Sequence, residues 1–278
     1  MSENVQKTLR DSAALRWLAL ILLAGAMFCS YIFMDILSPI KDLMWDTKGW
    51  DSTAFGTMQG SETFLNVFVF FLIFAGIILD KMGVRFTAIL SGAVMLVGAT
   101  INWYALTDMF AGSNLEVWFN EHLNYIPGFD ELGVSPFYKG MPASAKFSAI
   151  GFMIFGCGVE MAGITVSRGI VKWFKGREMA LAMGSEMALA RLGVATCMIF
   201  SPMFARLGGE VSVSRSVAFG VVLLMIALIM FIVYAFMDKK LDSQTGEAEE
   251  KDDPFKLSDL GKILTDSGFW LVALLCVL

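Results

Sequence analysis

The segment Gly76-Ile-Ile-Leu-Asp80-Lys81-Met-Gly83-Val-Arg85 sets three charged residues between two apolar runs, roughly 53 to 79 and 84 to 107. Each run is long enough to cross a hydrocarbon core of about 30 Å as a helix. A charged connection this short makes the two runs a helical hairpin that leaves and re-enters the membrane on one side. Gly83 permits the tight turn, and Gly76 is expected to let a neighbouring helix approach closely. Asp80 falls at a helix C-terminus, whose partial negative charge disfavours an acid, so a basic group must compensate it. Arg168, about one turn from the inner end of a later apolar run, either snorkels or neutralises Asp80. The structural role is preferred.

Working outward from that hairpin, the 278-residue chain is 56% apolar and 17% charged, against about 25% charged for soluble domains. Six spans are predicted, roughly 16 to 40, 53 to 79, 84 to 107, 146 to 172, 178 to 206 and 214 to 237. The first follows Lys7, Arg10 and Arg16 but is too long for a signal-peptide core, so it stays a mature helix. A seventh apolar run starts near Gly268 and stops at Leu278, about 16 Å of helix. The expected fold is therefore an all-α membrane protein, a six-helix transmembrane bundle plus the start of a seventh helix. Residues 1–237 form the six-span unit with an outer loop at about 108–145, 238–266 a charged linker, and 267–278 a span cut short.

Basic residues set the orientation. Lys7, Arg10, Arg16, Lys81, Arg85, Lys172, Lys175 and Arg177 flank one side, against Lys41, Lys48, Arg206 and Arg215 on the other. The positive-inside rule then puts the N-terminus in the cytoplasm. The linker acids Glu247, Glu249, Glu250, Asp252 and Asp253 fall on the same side. In the outer loop Leu115, Trp118, Phe119, His122, Leu123 and Ile126 recur at helical spacing, reading as a short interfacial helix anchored by Trp118 and Phe119 rather than a lid. His122 is expected to be solvated.

Net charge is −5, with no basic patch that would suit nucleic acid. Cys29, Cys157, Cys197 and Cys276 lie singly in apolar runs and His122 is the only histidine, so no metal or other cofactor is expected.

The Gly76 to Arg85 segment resembles the loop signature of the major facilitator superfamily, Gly-x-x-x-Asp-basic-x-Gly-basic-basic, with Val84 in place of one basic residue. A second passage, Trp173-Phe-Lys-Gly176-Arg177-Glu178-Met-Ala180-Leu-Ala182-Met-Gly184, resembles that family's junction between spans four and five. The resemblance implies an N-terminal half of a twelve-span transporter that moves solutes by alternating access, with a C-terminal half as its partner.

Independently of family, Asp35, Glu62, Glu160, Arg168, Glu186 and Arg191 are charges that do not belong in lipid. Glu160 and Arg191 both fall about 20 Å from the start of their spans, near the midplane. Two readings compete. In one they clamp a solute, Glu160 taking an ammonium and Arg191 a carboxylate; in the other they form a plain salt bridge. The clamp is preferred, it suits a zwitterion, and the arrangement also resembles the dipeptide-carrying branch of the superfamily. Gln59, Glu62 and Asn66 make a polar stripe that with Asp35 forms either an outer vestibule or interhelical packing. Glu186 and Glu160 are the proton-coupling candidates, with a basic partner for Glu186 equally plausible. Ala180, Gly184 and Ala188 read as a close-packing stripe.

The expected function is secondary active or facilitative transport of a small polar or zwitterionic solute, small peptide or amino-acid-like. A proton-coupled organic-anion or sugar symporter is the alternative. A membrane enzyme finds no grouped nucleophile, base or metal ligands, and a non-transporting receptor or scaffold on the same fold ranks below transport. Lacking an Asn-x-Ser/Thr site in the outer loop, the chain is expected in a bacterial inner membrane.

Overall fold

A computed structural model describes residues 8–245, 261 and 265–277. Its long helices are α1 (Ala13–Met34), α3 (Ser52–Phe68), α4 (Phe71–Ala105), α6 (Ala143–Phe174), α7 (Met179–Ala205) and α8 (Val213–Thr245). Shorter ones are α2 (Lys41–Lys48), α5 (Asn114–His122) and α9 (Ser267–Val277). No strand occurs among the described residues. Among the described residues five helical stretches are long and apolar enough to cross a membrane: Ala13–Lys48, Phe71–Ala105, Ala143–Phe174, Met179–Ala205 and Val213–Gln244.

The hairpin of spans two and three is built differently from the sequence expectation. The second span is broken: α3 stops at Phe68, Phe70 takes a left-handed conformation (φ 54°), and α4 starts at Phe71. The helix then runs through the expected loop, interrupted only at Gly83 (φ 78°, ψ 169°), a conformation that glycine adopts without steric cost. Contacts with α6 show the two passes. Going up the sequence, Ser61 donates to Ala149 O at 3.0 Å, Glu62 packs on Gly156, and Asp80 meets Arg168. Beyond Gly83 the order reverses, with Met95 against Gly158 and Asn102 Nδ2 donating to Ser148 Oγ at 2.7 Å. Among the described residues the chain therefore runs along α6 in one direction through α3 and the start of α4, and back in the other through the rest of α4.

Helix α6 is the centre of the bundle: 72% of its most apolar stretch is buried, against 22% for α7. Glycines set its distance from α4. A Cβ at Gly98 would sit 2.5 Å from Gly151 O, one at Gly151 2.7 Å from Gly98 O, and one at Gly158 2.7 Å from Met95 N. On the other side Phe33 of α1 packs on Phe155 at a centroid distance of 4.8 Å and lies against Gly220 of α8. Helix α7 joins α1 at Gly193, whose Cβ would meet Phe28 O at 2.6 Å.

Two glycine expectations fail on geometry. Gly76 and Gly184 face open space, with no heavy atom within 4 Å of an added Cβ, and Ala180, Gly184 and Ala188 are exposed. Neither position makes a close helix contact among the described residues. In the outer loop Trp118 is exposed and stacks on the exposed His122, as a surface helix requires. Phe119 is instead buried against Phe110 and Phe147, so it is no lipid anchor. The buried Lys146 of α6 donates to Phe119 O and Asn124 Oδ1, both at 3.1 Å, at the C-terminal end of α5, where a cation is favourable.

Helix α8 runs past 237 to Thr245, so Asp238 and Asp242, read from sequence as the start of the linker, are helical. Lys7, the linker acids Glu247, Glu249, Glu250, Asp252 and Asp253, and Leu278 lie outside the described residues. The run from Gly268 is helical as α9.

Substituting Gly98→Leu forces atoms into the α6 backbone and is expected to destabilise the fold by about 1–3 kcal/mol, whereas Gly76→Leu is expected to be neutral. Thermal unfolding of the two variants in detergent checks this; equal melting temperatures would contradict the glycine-set helix spacing.

Candidate functional site

The polar side chains that sequence singled out fall into two groups. The first closes the end of the bundle that carries the N-terminus. Arg168 Nη1 donates to Asp80 Oδ1 at 2.5 Å, which supplies the compensation Asp80 needs at a helix end. Arg85, just past the Gly83 turn, pairs with Asp242 at 2.8 Å. Lys172 bridges Asp238 and Asp242, each at 2.7 Å, and Trp173 Nε1 donates to Asp238 Oδ1 at 3.0 Å. Arg177 binds Asp11 at 2.7 Å; hydrogen bonds from Thr8, and then Arg177, hold that carboxyl below its usual range. Arg16, buried at the start of α1, reaches Glu178 at 3.5 Å. Gly76 is adjacent in sequence but joins none of these contacts.

These pairs tie α4, α6 and α8 to one another, and α1 to the start of α7. Asp238 is fully buried, so its charge depends on its partners. Lys172→Ala, which leaves Asp238 without its cation, is expected to cost about 3 kcal/mol. Chemical or thermal unfolding reads the cost, and an unchanged midpoint would show that Asp238 does not rely on Lys172.

The second group lies away from that end, on α3, α6 and α7 beside Tyr31 of α1. Glu62 of α3 backs onto Gly156, which has no side chain to hold it off. One turn further along α6, Glu160 shares that face, and Glu62 lies within electrostatic range of both Glu160 and Asp35. Helix α7 contributes Glu186 and Arg191. The Arg191 guanidinium sits over the Tyr31 ring of α1, 5.7 Å from its centroid. Tyr31 is in turn within electrostatic range of Arg191, Glu186, Glu160 and Glu62.

The plain salt bridge between Glu160 and Arg191 is not formed. Among the described residues neither belongs to an ion pair, and Glu62 and Glu186 belong to none either. Asp35 closes α1 and accepts a hydrogen bond from Ser38 Oγ at 3.1 Å, while its backbone oxygen accepts from Cys197 Sγ at 3.1 Å. Of the polar stripe, Gln59 Nε2 donates to Met34 O at 2.9 Å, satisfying a carbonyl at the end of α1. That is the packing role. Its Oε1 and both polar atoms of Asn66 are buried without a partner, a situation that costs free energy unless a group outside the bundle satisfies them.

The chemistry available on this wall is asymmetric. Carboxylates from three helices and one guanidinium lie within electrostatic range of Tyr31, and the guanidinium is exposed and parked on the Tyr31 ring. A planar fork of N–H donors binds a carboxylate in two-point fashion, and the carboxylates accept from an ammonium. Two hollows lie elsewhere. One of about 370 Å³ is lined by Thr57, Thr63, Phe64 and Ser135, and another of about 240 Å³ by Lys48, Asp108 and Arg215. Arg191 itself is exposed and Glu62, Glu160 and Glu186 are half-buried, so the wall opens at the surface of the bundle. Tyr31 was not singled out from sequence. Its position four residues before Asp35, on the same helical face, is the signal that marks it.

The chain matches the family model described as Major Facilitator Superfamily over residues 23–278. Among curated proteins it is similar to the lysosomal dipeptide transporter MFSD1 of Pongo abelii and of Homo sapiens, 22% identical over 271 residues in each case. Those alignments cover 94% of this chain and 50% of the relative. The Danio rerio protein of the same name is 26% identical over 136 residues, 46% of this chain and 29% of that protein. The chain thus spans about half the length of the first two relatives. No solved structure matches it.

Proposed function

The chain belongs to the major facilitator superfamily, and we propose that it forms the N-terminal half of a transporter moving a small zwitterionic solute, of the dipeptide class, by alternating access. The observation that carries this reading is the unpaired state of Glu160 and Arg191. Two opposite charges face one open wall near the midplane without neutralising each other, and charges in that position are costly unless a solute or water meets them. Glu160 takes the solute ammonium, Arg191 its carboxylate, and Glu62, Gln59, Asn66 and Asp35 extend the wall towards the outer end. A C-terminal half supplies the facing wall. The name of the relatives, dipeptide transporter, agrees with a solute that carries both charges.

The paired residues Asp80, Arg168 and Arg85 close the cytoplasmic end in the state described, and Gly83 sets the turn that presents them. Glu186, like Glu160 without a basic partner, is a place for a proton if transport is coupled; an uncoupled carrier uses the same wall. We place the N-terminus in the cytoplasm from the distribution of basic residues. For the compartment we retain a bacterial inner membrane on the outer loop's lack of a glycosylation site, while the relatives' name carries a lysosomal one.

In the full-length protein, Glu160→Gln and Arg191→Ala are each expected to lower uptake of a dipeptide into proteoliposomes at least a hundredfold, with membrane insertion and melting temperature unchanged. Normal uptake by either variant removes that residue from the clamp, and absence of counter-flow in the unaltered protein contradicts transport itself.

A further inference from the structure

Arg191 is exposed, on a helix only lightly buried against its neighbours, with three carboxylates in electrostatic range of the tyrosine beneath it. A long flexible cation in such company is expected to fold onto one of the carboxylates. It does not, and the geometry shows what competes. The guanidinium lies over the Tyr31 ring at 5.7 Å, within the range in which a π face attracts a cation. The ring is placed there by a separate feature, the close approach of α7 to α1 at Gly193. A Cβ at Gly193 would stand 2.6 Å from Phe28 O and 3.4 Å from Tyr31 Cβ, so the register of the two helices fixes Tyr31 under the side chain two residues before that glycine. The Tyr31 hydroxyl has no hydrogen-bond partner among the described residues. The ring, not the phenol oxygen, makes the contact that is visible.

We propose that Tyr31 is a positioning residue that holds Arg191 on its ring, out of salt bridges with Glu160 and Glu186, so that the guanidinium is available to a solute carboxylate. This rests on the clamp reading of the same wall. The physical logic is one of strengths. A contact with an aromatic face leaves the N–H fork free and is weaker than a two-point bond to a carboxylate. An arriving solute therefore takes the fork without first breaking an ion pair, and on its departure the ring recovers it. Removing the ring leaves Arg191 free to pair with Glu186 of its own helix, so that its fork is lost to the solute carboxylate while Glu160 stays open to the ammonium.

The test measures which part of the solute Tyr31 serves. Full-length protein in proteoliposomes is assayed with alanylalanine and with alanylalanine amide, which lacks the carboxylate, as competing inhibitors of labelled dipeptide uptake. In the unaltered protein the free acid is expected to inhibit at lower concentration than the amide. Tyr31→Leu is expected to raise KM for the free acid about fivefold, the scale of an exposed cation–π contact, with kcat little changed and the amide's inhibition constant unaltered, so that the preference between the two collapses. Tyr31→Phe and Tyr31→Trp, which keep a π face, are expected to restore it. An equal loss for acid and amide, a fall in kcat alone, or a Tyr31→Phe variant as impaired as Tyr31→Leu overturns the proposal. If Arg191→Ala transports normally, the clamp itself fails; if Arg191→Ala is dead and Tyr31→Leu keeps its preference for the acid, the clamp stands and the role of Tyr31 falls.

Discussion

Backbone-to-backbone approach between α4 and α6 fixes the position of nearly everything else. In lipid there is little hydrophobic force to press two helices together, so their association depends on close packing, and small residues are what permit it. Gly98, Gly151 and Gly158 let these two helices approach until main-chain atoms meet. With α6 pinned this way along one side, its opposite side is left to face α1 and α3. Gly156 and Glu160 lie there one turn apart, the first accepting the α3 backbone and the second bringing its carboxylate towards Glu62.

From that frame follows a division of labour among the charges. At the end near the N-terminus nearly every acid has a base: Asp80 with Arg168, Asp242 with Arg85, Asp238 with Lys172, Asp11 with Arg177. On the wall of α3, α6 and α7, Glu62, Glu160, Glu186 and Arg191 belong to no ion pair among the described residues. Both regions hold comparable chemistry, and the difference is that opposite charges are in contact only in the first. Glu160 and Arg168 share α6, only about 12 Å apart along its axis, yet only the latter is neutralised. Charge left unmatched on one face of a membrane helix bundle is the feature on which the proposed transport function rests.

Much of this was legible in the sequence, for identifiable reasons. Span positions follow from apolar runs, the hairpin from the charges around Gly83, and the need of Asp80 for a basic partner from its place at a helix end; Arg168 meets that need. Less legible were features that depend on which way a helix face points. Gly76 and Gly184 look like packing glycines in one dimension, but both face open space. Phe119 looks like an anchor beside Trp118, but it points inward to Phe110 and Phe147. The break at Phe70 leaves no compositional trace, because neither glycine nor proline stands there. Tyr31 escaped notice because a tyrosine in a span has many ordinary uses, and only the nearness of Arg191 distinguishes this one.

The account's central claim is that Glu160 and Arg191 are held apart for a solute with both charges. It is tested most directly by a structure of the full-length protein with a dipeptide bound. The account predicts the solute ammonium within about 3 Å of the Glu160 carboxylate and its carboxylate bridged by the Arg191 guanidinium, distances typical of charge-assisted hydrogen bonds. A dipeptide bound elsewhere, with Glu160 and Arg191 paired to each other or turned towards acyl chains, would contradict it.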